Sequence, residues 1–117
     1  MKIIISGVHL DITDAMKEYA EEKFATAKKY TKDDHSARLS VEIAKTTAHH
    51  AHGAIYKVSA LFVRKGKEKS LEVVSEDVYK GIDQMKDKLG RELSEEKDKE
   101  LSLFKKGAQK IKGLLRK

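Results

Sequence analysis

Three closely spaced histidines are the residues whose chemistry is easiest to name. His49, His50 and His52 lie in the segment TAHHAHG, between two stretches with strand-like patterns. Imidazole nitrogens bind zinc or nickel, but a stable site needs three or four ligands that are held by further hydrogen bonds. No carboxylate lies near them in the sequence, and on a strand His49 would point away from the other two. We therefore predict no metal site here, and expect a solvated loop or one that touches a partner.

Residues suited to catalysis are sparse. The chain has no cysteine, which excludes disulfides, thiolate metal sites and a cysteine nucleophile. There is no Gly-x-Ser-x-Gly motif, and the glycines are isolated, so no phosphate-binding loop is present. Carboxylates alternate with lysines, as on an ordinary salt-bridged surface. We predict that the protein is not an enzyme and has no small-molecule substrate.

A set of basic side chains along residues 77–93, DVYKGIDQMKDKLGREL, is the stronger signal. The apolar residues of this segment form one stripe of an α-helix: Val78, Ile82, Met85, Leu89 and Leu93. At about 100° per residue, basic residues cluster beside this stripe and continue beyond it: Lys80, Lys88, Arg91, Lys97 and Lys99. Asp83 and Asp87 fall on the opposite flank. The pattern predicts a basic ridge along this helix.

An earlier helical segment contributes further lysines. Lys23 borders its apolar stripe, while Lys28 and Lys29 lie in its last turn, where positive charge also suits the helix dipole. If both helices lie side by side on one sheet, their basic residues come close enough to form a groove that attracts nucleic-acid phosphates. An ordinary solvated surface remains the alternative explanation of these charges.

The net charge of +6 comes from the end of the chain. Residues 104–117, FKKGAQKIKGLLRK, carry six basic residues and no acid, while the rest of the chain carries equal numbers of each. If the globular part binds an anion, it must therefore sort its charges onto separate faces.

The hydrophobic pattern predicts the element order β-α-β-β-β-α. KIIIS is a buried strand, and a helix at about 13–30 begins with Thr13 as its N-cap. Three strands follow, in ARLSVEIAKT, AIYKVSALFVR and KEKSLEVV. A two-residue turn at Lys65 and Gly66 pairs Arg64 with Lys67, and so places Ala60 opposite Leu71 and Val58 opposite Val73. Ser75 is the expected cap of the second helix.

This order favours an α+β two-layer sandwich, in which two helices cover one face of a four-stranded sheet. We expect one domain at 1–97 and a basic amphipathic tail at 98–117, which Gly107 and Gly113 make labile. No apolar stretch approaches the roughly 20 residues of a membrane span, and we expect the N-terminus to be a strand of the mature protein and not a signal peptide. Without disulfides, the composition fits a cytoplasmic protein.

Several segments also resemble a known family. ISGVHLDITDAMKEYAEEKF, VEIAK and SEDVYKGIDQMKDKLGRELSEEKDK are similar to the bacterial ribosome hibernation-promoting factor family, which includes the ribosome-associated inhibitor called protein Y. The specific pieces are DIT-A, EDVY--ID and DKL-R-L, and the likeness covers residues 2–99.

This resemblance implies the same β-α-β-β-β-α fold, like that of double-stranded RNA-binding domains. It implies a protein that binds the small ribosomal subunit and its rRNA in the channel for mRNA and tRNA. There it blocks translation and stabilises inactive ribosomes, as monomers or as dimers with a second ribosome, under stress or in stationary phase. No cofactor and no catalysis are implied, and no membrane partner is expected. The alternative is a protein-interaction or storage module whose charges are merely solvated.

The resemblance also carries residue roles. Basic positions of the family are matched by Lys23, Lys88, Arg91, Lys97 and Lys99, and Lys29 matches a lysine of some members only. Charge geometry alone adds Lys28, Lys80 and Lys86. Tyr79 matches the tyrosine of the D-Y motif, where it either stacks on a base or packs on the sheet. The chain departs from the family in its basic tail, since tailed inhibitor-type members end in an acidic run, and it resembles the short form without a dimerising C-terminal domain.

Overall fold

The computed structural model describes residues 1–32, 34–46 and 55–115, with the helix backbone alone at 102 and 104–115. The strands and helices are β1 (Lys2–Val8), α1 (Asp14–Phe24), a 3₁₀ helix (Ala25–Tyr30), β2 (Arg38–Thr46), β3 (Ile55–Arg64), β4 (Lys67–Ser75) and α2 (Val78–Leu115). None of the helices in these described ranges is long and apolar enough to cross a membrane.

The four strands form one sheet in the order β1-β2-β3-β4. β1 runs parallel to β2, while β2, β3 and β4 are antiparallel neighbours. A parallel pair needs a long crossover, which α1 and the 3₁₀ helix provide. The predicted α+β sandwich is confirmed.

The β3–β4 hairpin has the predicted register, with Arg64 opposite Lys67, and with Ala60 opposite Leu71 further along. Its two-residue turn has positive φ at both positions, 50° at Lys65 and 75° at Gly66. That geometry matches the right-handed twist of the flanking strands, and glycine adopts it at little cost.

One core joins the sheet to the helices. Alternate residues of the strands meet the whole predicted stripe of α2, and these residues are almost fully buried: Leu39, Val41, Ile43, Val58, Ala60, Phe62, Val78, Ile82, Met85, Leu89 and Leu93. α1 adds Ala20 and Phe24. This packing fixes the rotation of α2, and therefore decides which of its polar residues face the 3₁₀ helix.

The helix starts agree with the sequence in one case and differ in the other. Thr13 caps α1, because its hydroxyl accepts a hydrogen bond from the backbone N–H of Met16 at 3.1 Å. The expected cap of α2 at Ser75 is wrong, since Ser75 is the last residue of β4. Asp77 takes that role by accepting from the N–H of Tyr79 at 2.9 Å.

The first helical segment, residues 14–30, has the predicted extent but not one helical geometry throughout. The first helix changes from α to 3₁₀ geometry after Phe24. At this point the Thr26 hydroxyl donates to the Lys23 carbonyl at 2.8 Å, a local bond that competes with the helical ladder. The helix α2 continues through residue 97 to Leu115, so its backbone shows no interruption at the expected start of the labile tail.

Candidate nucleic-acid interface

A groove with a volume of about 650 Å³ lies between the 3₁₀ helix and the middle of α2. We call it the central groove, and its lining residues are Phe24, Thr26, Ala27, Lys29, Tyr30, Lys86, Asp87, Leu89, Gly90 and Arg91. Phe24, Ala27 and Leu89 belong to the core, so the base of the groove is apolar. Its polar wall contains three basic side chains and one carboxylate.

The fold explains why these basic side chains meet. The apolar stripe of α2 faces the sheet, so residues 86 and 90, four apart, share the flank that faces the 3₁₀ helix. Lys29 comes from the last turn of the 3₁₀ helix, and its Nζ lies 5.1 Å from the centre of the Tyr30 ring. This cation–π contact favours a defined position for the ammonium group.

A second groove of about 440 Å³ continues from the first one. We call it the distal groove, and its lining residues are Lys29, Tyr30, Lys32, Arg64, Lys97, Glu100 and Leu101. Because Lys29 and Tyr30 line both grooves, the two form one surface with six basic residues and two acids. The structure thus brings the predicted residues Lys29, Arg91 and Lys97 together.

Arg64 is a part of this surface that sequence reasoning missed. It lies at the end of β3 and is only 8% exposed, and its guanidinium Nη2 lies 3.6 Å from the carboxylate of Glu100 on α2. The available signal was the strand alternation, since residue 64 has the same parity as the buried residues 58, 60 and 62. Lys32 was also missed, and its sequence context carries no such signal.

Lys88 lies on the opposite flank of α2. Its Nζ donates to the backbone carbonyl of Glu72 in β4 at 3.0 Å. On the same side, Lys69 and Glu92 form an ion pair at 2.8 Å. That pairing raises the pKa of Lys69 and lowers the pKa of Glu92, because each charge stabilises the other. The expectation that Lys88 and Arg91 both face the first helix is therefore wrong, because β4 lies beside Lys88.

Lys23 belongs to a separate cluster between α1 and α2. Its Nζ lies 3.9 Å from Asp83 and 5.3 Å from the centre of the Tyr19 ring. The Tyr19 hydroxyl donates to Asp83 at 2.7 Å, and this hydrogen bond raises the pKa of Tyr19. The expected separation of Asp83 and Asp87 from the basic residues is wrong, because Asp83 faces α1 and Asp87 lines the central groove.

Tyr79 packs edge-on against Tyr19, with the ring centres 5.0 Å apart and an angle of 81° between the planes. It remains 37% exposed, so part of its ring is accessible. Its role in base stacking stays a prediction. Lys28, Lys80 and Lys99 are exposed side chains whose RNA contacts likewise stay predictions.

The three histidines His49, His50 and His52 lie outside the described residues. Within the described ranges, no group of three or more histidine, aspartate or glutamate side chains is arranged to hold a metal ion.

Known proteins resemble this chain in both sequence and structure. The family described as "Sigma 54 modulation protein / S30EA ribosomal protein" matches residues 3–100. A ribosome hibernation promoting factor of Azotobacter vinelandii is 31% identical over 101 residues, which cover 86% of this chain and 87% of the relative. The Escherichia coli K12 protein of the same name is 30% identical over 99 residues, covering 85% and 96% respectively.

Two solved structures have the same fold. A ribosomal subunit interface protein from Coxiella burnetii superimposes with a TM-score of 0.68 at 22% identity, covering 84% of this chain and 99% of the other. The N-terminal domain of Thermus thermophilus Protein Y gives a TM-score of 0.65 at 24% identity, covering 80% and 96%.

Proposed function

Since the chain belongs to the sigma 54 modulation protein / S30EA ribosomal protein family, we propose that it is a ribosome hibernation factor. The family consists of ribosome-associated factors and not of enzymes. We further propose that the chain binds the small ribosomal subunit in the channel for mRNA and tRNA. By occupying that channel it blocks translation and stabilises inactive ribosomes.

The observation that carries this proposal is the continuous basic surface of the central and distal grooves. Six basic side chains line this surface, beside two carboxylates. They come from α2, from β3, and from the 3₁₀ helix together with the residues that follow it. Such a concentration of positive charge binds phosphate oxygens and releases counterions. Phosphate contacts position a protein on RNA, while the shape of the binding site supplies specificity.

The mechanism needs no chemical step. The sheet and its buried core hold the two grooves in a fixed relation, so the protein acts as a rigid body that excludes mRNA and tRNA. The proposed partners are the small subunit, its rRNA and, in dimers of inactive ribosomes, a second ribosome. The proposed setting is the cytoplasm under stress or in stationary phase.

Co-sedimentation with separated ribosomal subunits tests this proposal. We expect the protein to sediment with small subunits and not with large subunits. Small subunits that are first loaded with mRNA and tRNA should bind much less protein, because the channel is already filled. Equal binding to empty and loaded small subunits would contradict occlusion of the channel.

A protein-interaction module with a solvated charged surface makes a different prediction. Ion pairs such as Lys57 with Glu72 at 3.3 Å and Lys69 with Glu92 are typical of such a surface. Its binding to subunits would change little with salt. If about six phosphates are contacted, affinity should instead fall with a slope of about −4 to −5 in log K against log salt.

A further inference from the structure

The central groove contains a glycine that no packing contact explains. Gly90 lies in the interior of α2, where glycine destabilises a helix relative to alanine. Apart from its chain neighbours and the backbone of its own helix, a Cβ atom added at Gly90 would meet no atom of the described residues within 4 Å. At Gly81 on the same helix a Cβ would lie 2.9 Å from Cγ2 of Val58, so that glycine allows close packing on β3. Gly90 has no such structural reason.

The missing side chain creates a recess in the wall of the central groove. Lys86 and Arg91 stand on α2 beside it, and Lys29 and Tyr30 face it from the 3₁₀ helix. The core residues Phe24 and Leu89 lie beneath but are almost fully covered, so the accessible walls of the recess are Tyr30 and the basic side chains. The recess therefore combines an aromatic wall with a positively charged rim.

This combination fits one class of ligand, an unpaired nucleotide. An unpaired nucleotide has a flat ring that packs on apolar and aromatic groups, a polar ring edge, and a negatively charged phosphate. Lys29, Lys86 and Arg91 supply the charge for the phosphate, and Thr26 and Asp87 supply hydrogen-bonding groups for the ring edge. The groove volume of about 650 Å³ lies in the range of about 300–1,000 Å³ that is usual for small-ligand sites.

We propose that the recess at Gly90 holds one unpaired nucleotide of the bound RNA, with its base against the Tyr30 ring and its phosphate on the basic rim. This inference rests on the proposed function and adds a specific subsite to it. It also explains the glycine, because a side chain at residue 90 would occupy the space of the base.

Substitutions at Gly90 test the recess without changing any charge. Gly90→Ala and Gly90→Met add side chains of increasing size, and Gln84→Met is the matched control at an exposed α2 position that does not line the groove. Binding to purified small ribosomal subunits is measured over a series of salt concentrations. We expect Gly90→Met to weaken binding at least tenfold, Gly90→Ala to have an intermediate effect, and Gln84→Met to bind like wild type.

Two further readouts make this result specific. The salt dependence of binding should stay unchanged in Gly90→Met, because all the phosphate-binding side chains remain. Thermal unfolding of both Gly90 variants should occur at or above the wild-type temperature, since the added atoms meet open space and the helix gains propensity. A loss of affinity with these two properties would support a filled recess.

The outcome that overturns this inference differs from the one that overturns the proposed function. If Gly90→Met binds like wild type while a Lys29→Glu/Arg91→Glu variant loses binding, the recess is empty in the complex and the basic surface still binds RNA. If the charge-reversed variant also binds like wild type, both the recess and the proposed RNA-binding surface are wrong.

Discussion

Arg91 and Lys88 are three residues apart on α2 and meet different neighbours. Arg91 lines the central groove with Lys29, while Lys88 donates to a carbonyl of β4. At about 100° per residue the two positions differ by about 60°, which the sequence treats as one face. The packed neighbours decide their roles, and the sequence alone does not specify on which flank of α2 the strand β4 lies.

We therefore expect the two residues to contribute unequally to RNA binding. Arg91→Glu should weaken binding to small subunits by about 10- to 100-fold, since hydrogen bonds to a charged group contribute about 1.5–3 kcal/mol. Lys88→Glu should have a much smaller effect. Filter binding of both single variants at one moderate salt concentration checks this, and an equal loss for both would contradict the groove as the main contact.

Asp34 is a buried carboxylate that accepts hydrogen bonds from residues of two different turns. One oxygen accepts hydrogen bonds from the backbone and side chain of Ser36, and the other accepts from the backbone N–H of Lys65 at 2.9 Å. The hydrogen bond from the Ser36 side chain is the main cause that lowers the pKa of Asp34 below its ordinary value of 3.8. The charged form is therefore stabilised in the folded state.

The contribution of Asp34 to the stability of the fold is lost at low pH. A folded-state pKa below the unfolded one gives stability that is full above pH 3.8 and is lost as the pH falls through the lower, folded value. We expect Asp34→Asn to lower the free energy of unfolding at pH 7 more than at pH 2. Urea unfolding of wild type and variant at both values measures this, and an equal difference at both would exclude the ionised carboxylate as the cause.

The helix α2 packs on the sheet over its first half and has charged residues along its full length. Its stripe from Val78 to Leu93 is buried on the sheet. At 38 residues it spans about 57 Å, which explains most of the 71 Å length of the molecule. Beyond Leu93 the ion pair between Arg64 and Glu100 links the helix to the end of β3.

Truncation of one buried side chain in the stripe should show how much the packing of α2 contributes to the free energy of unfolding. Leu89 is 1% exposed, so Leu89→Ala should cost about 2–5 kcal/mol in the free energy of unfolding. The control is Leu103→Ala, because Leu103 is 69% exposed and should matter little. Urea denaturation followed by circular dichroism checks both, and similar costs for the two variants would contradict the observed packing.

Glu100 should oppose RNA binding in the distal groove. Its carboxylate lies beside Arg64 and faces the same cavity as Lys29 and Lys97. Glu100→Gln should therefore raise the affinity for small subunits by about two- to fivefold, the scale of a partly exposed ion pair. Glu95→Gln, at an exposed position that does not line either groove, is the control with the same charge change. An equal increase in both variants would indicate a general effect of net charge.

For the helices and strands, the sequence correctly predicted the features that residues close together in the chain determine. The β3–β4 register follows from Lys65-Gly66 and from alternation, and Thr13 marks the start of α1. The cap at Asp77 was missed, because Ser75 and Asp77 are both good caps and the end of β4 selects between them. The change to 3₁₀ geometry occurs beside the hydrogen bond from Thr26 to Lys23, and helix propensity does not predict where it falls.

At the scale of the whole molecule, the two sides of the sheet differ in their charge pattern. The helix side carries the central and distal grooves. The open face carries Lys2 and Arg38 in register on β1 and β2, while Glu42 and Glu72 lie in another row of the sheet, four residues along β2 from Arg38. The family membership expected from the sequence motifs is confirmed, while the binding face depends on tertiary packing that brings β3, the 3₁₀ helix and α2 together.

The most direct test of the proposed RNA-binding surface compares two charge reversals of equal size. Lys29→Glu/Arg91→Glu changes the grooves, and Lys2→Glu/Arg38→Glu changes the open face by the same amount with the same residue types. Binding to purified small ribosomal subunits is measured over a salt series. We predict that the groove variant loses binding by about 100-fold or more, since two charge-assisted contacts are lost. The open-face variant should retain most of its affinity and its salt dependence. Equal losses in the two variants, or a wild-type affinity that does not change with salt, would contradict the assignment of the grooves as the RNA-binding surface.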